Sequence, residues 1–68
     1  MEEAKMMKFW CVVSKFFDDG HVEAQILTLV GDEIPNDRMI EWVTYDKYIN
    51  YFDSHDDALK YYQDCLRA

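Results

Sequence analysis

The amino-acid sequence predicts an α+β fold: an antiparallel three-stranded β-sheet in β-β-β-α order, a meander, with one C-terminal helix packed on one face. Three observations carry that expectation. KFWCVVSKFF and HVEAQILTLV are rich in β-branched and aromatic residues and are joined through Asp19-Gly20. KYINYF supplies a further strand-like run. From Ser54 onward the apolar residues switch to helical spacing.

The first strand is read over Lys8 to Phe17 and ends at Asp18-Asp19-Gly20-His21. Asp-Gly suits a two-residue hairpin turn, because both central residues need positive φ. With the turn at Asp19-Gly20, Asp18 faces His21, Phe17 faces Val22, Val13 faces Ile26 and Phe9 faces Val30. The second strand then covers His21 to Val30. On this register the core face carries Phe9, Cys11, Val13 and Phe17 with Val22, Ala24, Ile26 and Val30. The opposite face carries Phe16, Ser14, Glu23 and Gln25 near the turn. At its far end Trp10, Val12, Leu27 and Leu29 form an apolar cluster.

GDEIPND, residues 31 to 37, reads as a loop from its Gly, Pro, Asn and Asp content. The third strand is placed over about residues 46 to 52, with 38 to 45 as an extended lead-in or a further short strand. Ser54 is a suitable N-cap, and Asp57 follows three positions later. A helix over 55 to 67 gathers Ala58, Leu59, Tyr61, Tyr62, Cys65 and Leu66 on one side. Acids in its first turn and Arg67 in its last suit the helix dipole. A helix of this length is marginal alone, so it must lie on the sheet.

Composition bounds the function. The chain has 68 residues, of which 50% are hydrophobic and 16% aromatic, so one folded domain is expected rather than a disordered segment. Residues 1–6 read as an N-terminal extension and 7–68 as the single domain. Acidic residues stand where a secretory signal would be basic, and no apolar run approaches the roughly 20 residues of a membrane span. Cys11 and Cys65 form no CxxC pair and fall on apolar sides, which reads as two buried free thiols and a cytoplasmic setting.

Charge supplies the candidate site. Fourteen Asp and Glu against seven Lys and Arg give a formal charge of -7. In a meander the hairpin tip and the helix start share one end, which brings Asp18, Asp19, Asp53, Asp56 and Asp57 together. Such an end attracts a protein with a basic surface and repels nucleic acid and anionic membranes. Turn and capping preferences account for the same acids without a partner. The cluster Trp10, Val12, Leu27 and Leu29 is a second candidate, as a partner or homodimer surface or as a patch covered by residues 39 to 45 or the extension. No metal ligand set, no cofactor motif and no nucleophile–base pair is evident; His21 and His55 sit at exposed places, and GxGxxG, P-loop and HExxH motifs are absent.

DDGHVEA, then GDEIP, then YINYFDSHDDALKYY resemble a group of small, uncharacterised acidic proteins from gut bacteria and their phages or mobile elements. The resemblance spans most of residues 7 to 66, and Tyr51, Phe52, Asp53, Ser54 and Ala58 match its pattern; RMIEWVTY is more hydrophobic than that pattern. It implies a hairpin-plus-helix fold. By analogy with inhibitors of host defence, including anti-CRISPR proteins, it implies a non-enzymatic inhibitor whose carboxylates imitate nucleic-acid phosphates and block a basic channel. The alternative expectation is a self-associating structural or regulatory protein using the apolar sheet face.

Overall fold

The computed structural model describes residues 6–67, so the expected extension at 1–6 falls almost wholly outside the described residues. Four strands and one helix follow in order: β1 (Met7–Phe17), β2 (Val22–Gly31), β3 (Arg38–Glu41), β4 (Tyr45–Phe52) and α1 (His55–Arg67). The α+β class and the helix packed on an antiparallel sheet are as expected, but the sheet has four strands and not three. The short strand at 38–41, one of two readings of the lead-in, is the addition.

The order across the sheet is β2-β1-β4-β3, with every neighbouring pair antiparallel. A simple meander is therefore overturned: the last strand pairs with β1 and not with β2. The physical reason lies in β1. Its apolar run presents large side chains to both faces, which favours a central place with a neighbour on each edge, whereas β2 alternates between half-buried and exposed positions. The β3–β4 hairpin turns through Val43-Thr44, where Trp42 N donates to Tyr45 O at 2.9 Å, and adds to β1 as a unit. The 32–37 connection spans the sheet from one edge to the other, three strand spacings or about 14 Å, within reach of six residues.

The β1–β2 register also differs from expectation, by one residue. Phe16 pairs with Val22 and Val12 with Ile26. The turn is a three-residue loop: Gly20 N donates to Phe17 O and Phe17 N to His21 O, both at 3.0 Å, with Gly20 at φ 96°. A type I turn followed by a positive-φ glycine forms this bulged hairpin. Asp19 Oδ1 accepts from His21 N at 3.0 Å and holds the bend. Phe17, rather than Asp18, therefore stands beside His21, and their rings stack at 4.1 Å and 10°.

One residue of slip exchanges the faces of a strand relative to its partner. The helix covers Trp10, Val12, Ser14 and Phe16 together with Ala24 and Ile26, and not the expected set of Phe9, Cys11, Val13 and Phe17. Val12, Ser14 and Ala58 are fully buried and Cys65 nearly so. Asn50 Nδ2 donates to the Tyr61 hydroxyl at 2.9 Å, and the Trp10 and Phe52 rings meet His55 and Tyr61. The helix bounds match expectation. Ser54 accepts from Asp57 N through its side chain at 3.4 Å and from Ala58 N through its carbonyl at 3.1 Å.

Candidate functional site

The direction of β4 decides where the acids lie. Running antiparallel to β1, it ends with Phe52 opposite Trp10, while the hairpin tip lies beyond Phe17. Seven residue steps separate those places, about 23 Å at ~3.3 Å each. The expected gathering of Asp18 and Asp19 with Asp53, Asp56 and Asp57 is thus a correction: the first two sit at one end and the last three at the other. Asp53, Asp56 and Asp57 instead share their end with Asp32, Glu33 and Asp37, which follow β2. Asp37 Oδ1 accepts from Tyr51 N at 2.8 Å, tying that connection to β4.

The expected apolar cluster is also divided. Trp10 and Val12 lie on the helix side, where Val12 has no exposure. Leu27 pairs with Cys11, and Leu29 with Phe9, on the opposite face. Half of the set is core. The other half belongs to a surface that the expected register concealed.

That surface is the sheet face turned away from α1, and its strand registers arrange it in rows. The row nearest the hairpin tip is aromatic: His21, Phe17, Tyr45 and Trp42, one residue from each strand line. Its rings are in mutual contact, with centroids 4.1, 4.9 and 6.1 Å apart along the row. The next row is Glu23, Lys15, Lys47 and Ile40, and the one below is Gln25, Val13, Ile49 and Arg38. Lys15 Nζ lies 5.3 Å from the Tyr45 ring centre, a cation–π contact. Leu27, Cys11 and Tyr51 follow, then Leu29 and Phe9.

The lower end of this face is closed. Phe9 and Cys11 are buried, and the ring of Phe9 sits against Tyr51 and beside Gly31, where a Cβ would come within 3.2 Å of it. Among the described residues the middle and upper rows have no layer over them. The molecule is 12 Å through its thinnest direction, the thickness of one sheet and one helix layer. Three cations, Lys15, Arg38 and Lys47, face one carboxylate, Glu23, on a chain that is acidic elsewhere.

Burial first, and then the charge of Asp37, pushes the Cys11 thiol up. The Tyr61 phenol is likewise pushed up, chiefly by burial. Asp19 is held below the usual carboxylate range by the bonds from the His21 backbone and ring. Cys11 and Cys65 are free and buried on opposite sides of the sheet. Two shallow clefts of about 210 Å³ each, one lined by Phe16, Tyr48 and Tyr61 and one by residues around Lys15 and Gln25, fall below the roughly 300–1,000 Å³ of a small-molecule site. Among the described residues no group of three or more His, Cys, Asp or Glu is placed to hold a metal ion, and no helix is long and apolar enough to cross a membrane.

Lys15, Arg38, Lys47 and Ile49 were not among the candidate residues of the sequence, and Val13 was expected in the core. The signal was present in the alternation of β4, where Tyr45, Lys47, Ile49 and Tyr51 share one face, but it needed the pairing with β1 to acquire meaning. Comparisons with protein-family models, curated proteins and solved structures return no match.

Proposed function

We propose that this chain is a small non-enzymatic protein-binding module and that its working surface is the uncovered sheet face. The observation that carries the reading is a sheet with one face packed and the other bearing aligned aromatic, basic and aliphatic rows that no other described residue covers. Such a face fits an amphipathic protein surface. The partner's apolar residues would lie over Val13, Ile49 and Leu27, and its carboxylates would meet Lys15, Arg38 and Lys47. Lys15→Glu, Arg38→Glu and Lys47→Glu reverse the charge without removing an aliphatic residue. Pull-down from a native lysate, followed by titration of the recovered protein, should show binding lost in the triple variant and retained in Lys60→Glu, a helix-surface control. Retention by the triple variant refutes the reading.

A second reading keeps nucleic-acid mimicry but moves it. The reversal of β4 brings Asp53, Asp56 and Asp57 to the end occupied by Asp32, Glu33 and Asp37, so an anionic end exists with a different membership. An inhibitor acting there would lose its basic target on Asp53→Asn, Asp56→Asn and Asp57→Asn and would keep it in the triple lysine-and-arginine variant. The two sets of substitutions therefore separate the readings.

A further inference from the structure

The two edges of the sheet are unlike. β3 is four residues long, carries Arg38 and Glu41, and follows Pro35; charge, brevity and a nearby proline are devices that discourage pairing with another chain. β2 has none of them. It runs for ten residues with one charge, Glu23, and pairs with β1 without a bulge from Val22 to Gly31. Its segment QILTLV has no charge and no proline, a composition that seeks a strand partner. Hydrogen-bonded pairs alternate along an antiparallel ladder, and Phe17–His21 is one of them. The amides of Val22, Ala24, Ile26, Thr28 and Val30 therefore point away from β1, along an edge about 30 Å long.

A second, independent feature lies over the same edge. In α1, Ala58 and Cys65 point into the core, and Tyr61 turns to the β4 side, where it meets Asn50 and Phe52. At 100° per residue Leu59, Tyr62 and Leu66 occupy the opposite flank, about 50–110° from the core direction. That flank overlooks β2. Leu66 is 48% exposed and Val30 61%.

We infer that the β2 edge is a homodimer interface, two copies pairing β2 with β2 about a two-fold axis normal to the sheet. The strand is self-complementary. With Ile26 at the axis Glu23 faces Leu29 of the second copy, and with Leu27 at the axis it faces Gly31; no charge opposes a like charge within the strand in either register. An axis normal to the sheet keeps both helices on one side, so the Leu59, Tyr62 and Leu66 stripes of the two copies meet over the seam. A closed two-fold pair also uses up the exposed edge, where an open array would propagate it. The uncovered faces lie together on the far side as one eight-stranded surface. The interface is separate from the partner surface proposed above, and either can fail without the other.

Sedimentation equilibrium of the full chain from about 1 to 300 μM tests the inference. The expected mass at high concentration is twice the 8.2 kDa of one chain. Thr28→Lys with Val30→Lys should raise the dissociation constant at least tenfold while the far-UV spectrum stays that of the wild type. Leu66→Lys, on the helix and outside the strand, should weaken the dimer independently. A wild type that stays at 8.2 kDa throughout overturns the inference. So does a dimer indifferent to both sets of substitutions but dissociated by Ile49→Lys, which would place the contact on the open face.

Discussion

Ser14→Ala should make this protein more stable. Among the described residues Ser14 is the one buried polar residue, with no exposed surface, and its Oγ makes no hydrogen bond there. The nearby Tyr61 hydroxyl accepts from Asn50 Nδ2, and Ser14 lies close enough to that hydroxyl to bear on its ionisation without meeting it in a hydrogen bond. A buried, unpaired hydroxyl costs about 1–3 kcal/mol. Alanine removes that cost and leaves a void of at most about 10 Å³, worth ~0.2 kcal/mol at ~24 cal/mol per Å³. The expected gain is about 1 kcal/mol. A domain of this size is stable by roughly 3–10 kcal/mol, and such a gain raises the thermal midpoint by about 4–8 °C. Thermal and urea unfolding followed by circular dichroism measure it, with the urea slope expected to stay unchanged. In a double-mutant cycle with Tyr61→Phe the coupling should be below about 0.5 kcal/mol. A Ser14→Ala protein that melts lower, with coupling near 1 kcal/mol, would instead show that Ser14 and Tyr61 are bonded in the folded protein.

Other perturbations probe the hairpin and the core. Gly20→Ala meets no atom within 4 Å, so its cost is purely conformational: a non-glycine residue at φ 96° should lose about 1–2 kcal/mol in urea unfolding, and a neutral result would mean that the bulged loop is not the turn adopted. Asp19 should titrate below the ordinary aspartate value by carboxyl-carbon NMR. Its lowered folded-state value means that its contribution to stability is present above the unfolded carboxylate pKa and lost as pH falls through the folded one. His21→Ala should return it only part of the way, because the backbone amide of residue 21, the larger cause, remains. Cys11 and Cys65, both buried, should react with an aromatic disulfide reagent about 10³-fold or more slowly in the folded protein than in urea, in proportion to the small open fraction; fast labelling of one thiol without denaturant would contradict its burial.

Local rules were legible in this sequence wherever one residue type answers one local need. Ser54 caps because its side-chain oxygen can meet an amide, Ala58 and Cys65 face inward because helical spacing puts them there, and β1 is a strand because its residues are β-branched and aromatic. The turn was harder, since Asp-Asp-Gly suits both a two-residue loop through Asp19-Gly20 and a three-residue loop ending at Gly20. The stacking of His21 on Phe17 and the joint burial of Val12, Ser14 and Ala58 go with the second. Those contacts are tertiary, so no local pattern announces them. The consequence reaches beyond the hairpin, because the register decides which of β1's two apolar faces lies with the inward residues of β2.

Strand order had a similar effect on the candidate site. Whether β4 adds beside β2 or beside β1 leaves its own residues unchanged but reverses its direction relative to the tip, and direction alone determines which acids are neighbours. Charge counts and turn chemistry carry no information on that choice. The central position of β1 does, through the need of a strand apolar on both faces for neighbours on both edges. Once β1 is central, Lys15 and Lys47 become a cross-strand pair of like charges directly opposite one another, an arrangement that destabilises a sheet unless something offsets it. The Tyr45 ring beside Lys15 and Glu23 opposite it supply part of that offset within the chain. A carboxylate set between the two lysines by a bound partner would supply the rest, which makes the like-charged pair the feature of the open face that a partner would most directly relieve.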